Sequence, residues 1–231
     1  MATILGRDRN EGQHFQEIAD AVSALTTRPV FFMAHAHPAP PGGVLYHWEN
    51  HPLVYPQNLA SAKEVWDFSK RNIEKYPTSI KALHVPCGYH PTMERFRPAS
   101  STPYDVAWMG CVNERRHHVL SALRRNGLSI VEIGCFGSDR DAYIAQCKVV
   151  LNMRFYENGV FPVLRSAHAA ANCMPCVAEV SPEIPDWVSY RCTYDQMIDR
   201  TVALIRSPTE RHRIAVETYE RFRRTPLILP P

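Results

Sequence analysis

The stretch YDVAWMGCVNERRHHVLSALRRNGLSIVEIGCFGSDRDAYIAQCKVVLN, residues 104–152, decides the fold. Its hydrophobic pattern predicts a strand at 104–109, a helix at 113–126, a strand at 128–133, a helix at 139–147 and a strand at 148–152. The alternation continues with a helix at about 160–172 and a strand at 175–179. Strands separated by helices of this length need right-handed crossovers, so the sheet is expected to be parallel. Thr193 with Gln196 and Ser207 with Glu210 then read as capping boxes, and Pro208 suits a first helical turn, so two helices are expected to follow.

Upstream the pattern is sparser. A helix is expected over 11–25, with Phe15, Ile18, Ala19, Val22 and Leu25 on one face, followed by strands at 29–34, 43–47 and 80–85. Ser61 and Glu64 look like a capping box opening a helix that runs to about Tyr76. FRPASSTP, residues 96–103, has two prolines and no apolar period, and reads as a linker. The expected organisation is therefore α/β, with a small domain over 1–100 and a second over 103–231, whose last helices return to pack on the first.

The chain has 231 residues, 45% of them hydrophobic and 21% charged, which fits a folded globular protein and excludes disordered and fibrous classes. A net charge of +3 is too small to argue for nucleic acid alone. No apolar run approaches the ~18 residues of a membrane span, so a cytoplasmic protein without a membrane span is expected. Seven cysteines in mostly apolar segments suit reduced thiols better than a disulfide framework.

Open parallel sheets bind ligands beyond the carboxyl ends of their strands, which directs attention to 110–116, 134–140, 152–159 and 179–183. Gly110 ends a strand, Asn113 is placed to cap the next helix, and Arg115 and Arg116 fall in its first turn, where an anion would offset their clash with the helix dipole. Asn152, Arg154, Tyr156 and Glu157 form a polar rim suited to sugar hydroxyls. Arg165 sits in an apolar helix and needs a partner, for which an anionic ligand or Glu157 is the candidate. In the first half His35, His37, His47, Glu49 and His51 follow strands, and Glu49 and then His37 are the expected proton-accepting groups.

These motifs, with YENGVFPVLRSAHAAANCMPCVAE at 156–179, resemble the donor-binding domain of GT-B glycosyltransferases, specifically the group-1 and spore-maturation CgeB-like branch. The resemblance spans roughly 44–224. It implies two Rossmann-like parallel-sheet domains facing a cleft, the N-terminal one truncated, and a nucleotide-sugar as co-substrate with no cofactor or bound metal. By the same resemblance the diphosphate lies near Gly110 and Arg115 or Arg116, and the sugar near residues 152–157. The acceptor is a DNA base, a saccharide or a small molecule, and a homodimer would complete the short acceptor half. Where the branch often has an acidic residue after Phe161, this chain has Pro162.

Two other readings compete. His35 and His37 in HAHP suit a metal-dependent hydrolase, since His-x-His turns two imidazoles to one side of a strand. The basic helix at 113–126 and the run Arg211, Arg213, Arg221, Arg223 and Arg224 suit a non-catalytic nucleotide- or nucleic-acid-binding protein. Cys173 and Cys176 end a helix instead of starting one, which speaks against thioredoxin-like chemistry.

Overall fold

A computed structural model describes residues 2–5, 16–33, 43–48 and 62–231. The chain forms two compact units, residues 1–93 with 227–231, and residues 94–226. Both are built on five-stranded parallel sheets.

The first unit runs β1 (Ala2–Leu5), α1 (Gln16–Leu25), β2 (Val30–Met33), β3 (Val44–His47), β4 (Glu64–Asp67), α2 (Lys70–Ile73) and β5 (Ala82–His84). Its strands lie side by side in chain order. Helix α1 buries Ile18, Ala19, Ala21 and Val22, whereas Leu25, expected on that face, is exposed. Phe32, Tyr46 and Trp66 fill the core from adjacent strands, with the Tyr46 and Trp66 rings edge to face.

The helix expected over 61–76 is a strand and one helical turn. A parallel strand buried on both faces shows no alternation to read, and Glu64-Val65-Trp66-Asp67 is buried throughout. Glu64 caps nothing. Its carboxylate accepts from Trp66 Nε1 at 2.7 Å, Arg28 Nη2 at 2.8 Å and Lys81 Nζ at 2.7 Å. Burial alone would raise its pKa, but these three donors hold it below the usual glutamate range. The working cap is Ser69, whose hydroxyl accepts the Asn72 N–H at 3.1 Å.

The second unit runs β6 (Tyr104–Met109), α3 (Glu114–Arg125), β7 (Ile130–Ile133), α4 (Gly137–Ala145), β8 (Cys147–Asn152), α5 (Val163–Ala171), β9 (Cys176–Glu179), β10 (Arg191–Cys192), α6 (Met197–Arg206) and α7 (Pro208–Arg223). The core joins Val106, Trp108, Val149, Leu151 and Val177 of the sheet to Val119, Leu120, Leu123, Leu204, Ile205 and Ile214 of the helices. Thr193 completes its capping box with Gln196, and the Ser207 hydroxyl accepts the Glu210 N–H ahead of a helix that begins at Pro208.

The boundary falls at 93/94, before the expected linker, because 95–99 is hydrogen-bonded into the second unit. Asn172 Oδ1 accepts the N–H of Arg95 at 2.6 Å and of Phe96 at 2.8 Å, and Ala99 N–H donates to Ala145 O. Helices α6 and α7 also stay with the second unit. Only 227–231 joins the first, where Leu227 N–H donates to Tyr89 O at 2.9 Å and Arg28 Nη1 to Pro231 O at 2.9 Å.

The strand order of the second sheet is β10-β9-β8-β6-β7. From β6 the chain moves outward to β7, then crosses back to β8. The switch point between β6 and β8 therefore lies beside Gly110 and Asn152, where doubly wound sheets open a crevice at their carboxyl ends.

Candidate functional site

The β6–α3 turn is fixed first. Gly110 has φ +116°, a region costly for other residues, and Trp108 Nε1 donates to its carbonyl at 3.0 Å. Asn113 caps α3, accepting the Arg116 N–H at 3.1 Å through Oδ1 and donating to Phe155 O at 2.8 Å through Nδ2. One side chain thus ties the turn after β6 to the loop after β8.

Four arginines gather at these strand ends, with unequal partners. Arg115 forks onto Glu179, donating through Nη1 at 2.8 Å and through Nη2, and its guanidinium lies 3.8 Å from the Tyr194 ring centre. Arg154 reaches the same carboxylate with Nη2 at 2.8 Å, Nε at 3.0 Å and its backbone N–H at 3.0 Å. Burial would raise the Glu179 pKa, but the Arg115 and Arg154 hydrogen bonds hold it below the usual range.

Arg116 and Arg165 have no carboxylate partner among the described residues. Arg116 is buried and clasps backbone, donating to Met153 O at 2.6 Å, Cys111 O at 2.8 Å and Arg154 O at 3.2 Å. Arg165 is half-buried and donates to Asn152 Oδ1 at 2.7 Å. Both guanidiniums lie over the Trp108 ring, at 4.9 and 5.0 Å.

A Cβ placed on Gly110 would stand 2.8 Å from Arg165 Nη2 and 3.8 Å from Arg116 Nη1. The two like charges therefore converge within about 7 Å, a repulsion of about 2 kcal/mol at an effective dielectric of 20. Burial pushes Arg116 down to about 9, with Arg165 adding to the effect, and burial pushes Arg165 down to about 10. Both remain cations at neutral pH. An anion seated at Gly110 would relieve their repulsion.

The structure corrects the expected pairing of Arg165 with Glu157. Arg165 takes an amide oxygen and an indole face, while Glu157 is exposed and its backbone carbonyl accepts from Arg154. Asn152 is fully buried, with Nδ2 donating to Pro162 O at 3.0 Å and Ser166 Oγ at 2.7 Å, so it is not part of the exposed rim. Tyr156 is exposed, its ring edge-on to Phe155. The sequence reading singled out neither Trp108 nor the role of Glu179. The signals for Glu179 were its place at a strand end and the Val177–Glu179 run of the family resemblance.

His35, His37, Glu49 and His51 lie outside the described residues. His47 is buried, with Nδ1 2.7 Å from Asp67 Oδ2, which also accepts the Tyr76 hydroxyl at 2.5 Å. Among the described residues no group of three His, Cys, Asp or Glu could hold a metal ion. His84 Nε2 meets Phe68 O. The basic run of α7 is largely neutralised along the helix, Arg213 by Glu210 and Glu217, Arg221 by Glu217 and Arg223 by Glu220. No helix is long and apolar enough to cross a membrane among the described residues.

No family model matches the chain. Three curated relatives, all from Acanthamoeba polyphaga mimivirus, are uncharacterized. Protein L140 is 30% identical over 170 residues, 67% of this chain and 56% of the relative. Protein L137 is 25% identical over 178 residues, 71% of this chain and 24% of the relative. The chain thus spans about half or less of the relatives it matches. Among solved structures, Anabaena HepE in complex with UDP and glucose superposes with a TM-score of 0.62 at 12% identity, over 96% of this chain and 95% of that one. A mutant of T4 phage BGT in complex with UDP-glucose gives 0.57 at 11% identity, over 96% and 94%. WaaG, a glycosyltransferase involved in lipopolysaccharide biosynthesis, gives 0.55 at 10% identity, over 95% and 94%. The fold is that of the GT-B glycosyltransferases.

Proposed function

We propose that the protein is a glycosyltransferase that moves a sugar from a nucleotide-sugar donor to an acceptor hydroxyl. One observation carries the reading: Arg116 and Arg165, without a carboxylate partner among the described residues, converge on Gly110 at the switch point of a doubly wound sheet. The GT-B fold, and the UDP or UDP-glucose bound to HepE and BGT, support it.

In this reading the diphosphate sits against Gly110 and the N-terminal turn of α3, where Asn113 holds the backbone in place. Charge develops on the leaving phosphate as the glycosidic bond breaks, and the two guanidiniums stabilise it from fixed positions without a metal. Arg115 acts through Glu179, which shares its charge with Arg154. Tyr156 and Glu157, both exposed, offer a ring face and a carboxylate to the sugar. The acceptor proton goes to a group of the first unit, with Glu49 and then His37 as candidates, and the acceptor is a DNA base, a saccharide or a small molecule.

A thermal-shift panel of UDP-, GDP-, CMP- and dTDP-sugars tests the proposal. At least one is expected to raise the melting temperature, by about 3 kcal/mol of linkage at a hundredfold excess over Kd. Indifference to every nucleotide would overturn it.

A further inference from the structure

We infer that Cys111 and Cys135 are a redox pair: a low-molecular-weight disulfide converts the two thiols to a cystine beside the crevice, and the cystine form binds the donor more weakly. The pairing stands on its own, while its effect rests on the donor-site reading above. Strands β6 and β7 run parallel with Met109 opposite Ile133 as the last paired residues. Each strand continues into Gly-Cys, as Gly110-Cys111 and Gly134-Cys135, so the ladder extended by two residues sets one cysteine opposite the other. Neighbouring strands lie about 4.8 Å apart, and a disulfide joins Cα atoms roughly 4.4–6.8 Å apart. The glycines give the turns room to close: Gly110 has φ +116°, and a Cβ placed on Gly134 would meet nothing within 4 Å. Cys111 is exposed and Cys135 half-buried. The other five cysteines are excluded by their places. Cys87, Cys147, Cys176 and Cys192 are buried, and Cys173 precedes β9, at the opposite end of the sheet.

Exposure sets the order of attack. Arg116 and Arg165 both lie within electrostatic reach of the Cys111 thiol, the setting in which reactive thiols are found. Cys111 Sγ attacks one sulfur of glutathione disulfide, releasing one glutathione thiolate and leaving a mixed disulfide. Cys135 Sγ then attacks Cys111 Sγ and displaces the second glutathione. The two protein thiols lose two electrons and two protons, and the small disulfide is reduced to two thiols. The cystine acts on the site through the turn. The Cys111 carbonyl accepts from Arg116 Nη1 at 2.8 Å, and the same guanidinium donates to Met153 O and Arg154 O in the loop after β8. Strands β7 and β8 flank β6 on opposite sides, so a bond from Cys111 to Cys135 draws the turn away from the loop that Arg116 clasps to it.

The test oxidises the native full chain with glutathione disulfide, blocks remaining thiols, maps the peptides without reduction, and titrates oxidised and dithiothreitol-reduced protein with pyrophosphate and UDP. The Cys111–Cys135 peptide is expected as the main cross-link. The oxidised form should bind both ligands about tenfold more weakly, and dithiothreitol should restore the affinity; by linkage, saturating pyrophosphate should favour the dithiol form by the same factor. Cys135→Ser should stop at a glutathione adduct on Cys111 with no internal cross-link, and Cys173→Ser should behave as wild type. Absence of the Cys111–Cys135 cross-link from the oxidised native protein, or a cystine form that binds as tightly as the dithiol, overturns this inference and leaves the donor site standing. Failure of the reduced wild type to bind either ligand brings down the donor-site reading, and the peptide map alone then upholds or overturns the pair.

Discussion

Replacing Glu179 with Gln removes the one carboxylate that Arg115 and Arg154 share. Glu179 is 1% exposed and accepts from both guanidiniums and from the Arg154 N–H. At an effective dielectric of 20 each contact is worth about 4 kcal/mol of gross attraction, largely offset by the desolvation the pair has already undergone. Breaking such a pair from one side costs about 3–5 kcal/mol, because the remaining charges stay buried without a counterion. For a protein of this size that is a fall in melting temperature on the order of 10 °C in the second unit.

The loss depends on pH with a definite sign. The folded Glu179 pKa lies below its unfolded value of about 4.5, so its contribution is fully present above that pH and disappears as pH falls through the depressed folded value. Wild type and Glu179→Gln should therefore differ most near neutrality and converge in acid, read by urea unfolding between pH 3 and 7, a range chosen to span roughly both carboxylate states. The variant also leaves the site one charge more positive, so pyrophosphate should stabilise it more than it stabilises wild type. A loss below about 1 kcal/mol at neutral pH, outside the range for a broken buried pair, or two curves that stay parallel into acid, would refute the assignment of Glu179 as the counterion.

Two further outcomes are expected. Cys111 is exposed and should react with a thiol reagent in the native state, more slowly when pyrophosphate is bound. Cys87, Cys147, Cys176 and Cys192 are buried, burial pushes Cys147 and Cys192 up to about 12 and Cys176 up to about 11, and these four should react only on unfolding. Release of more native thiols than Cys111, Cys135 and Cys173 supply would contradict that packing. Asp67→Asn should cost about 3 kcal/mol, since the buried Asp67 carboxylate meets Tyr76, His47, the Ser69 N–H and Asn72. The pyrophosphate-induced shift should survive in this variant, and its disappearance would mean that the anion does not bind to the second unit alone.

The second unit was legible because its local signals agree. Each strand from 104 to 179 is separated from the next by a helix, and Asn113, Ser207 and Pro208 mark helix starts that the structure keeps. The first unit was harder because β4 is a short strand whose charged ends are neutralised from far away. Arg28 and Lys81 lie 36 and 17 residues from Glu64, beyond any local pattern, so Ser61 and Glu64 imitated a cap. The same separation hid the site's internal wiring. Gly110 and the arginines stood out as residues after strands, but Glu179 meets Arg115 across 64 residues. Which arginine keeps free donors depends on packing that no spacing rule encodes, and Arg165 found an amide and an indole where a carboxylate was expected.

The return of residues 227–231 to the first unit makes that unit discontinuous in sequence. The polypeptide passes between the units twice, at 93/94 and again at 226/227. A single protease cut at the first passage would leave the unit in two covalently separate pieces, one of them still attached to its neighbour. Expression of 1–93 alone would omit the backbone that meets Tyr89 and Arg28. Dissection of this protein into working halves therefore calls for a circular permutant or a grafted tail, not a truncation.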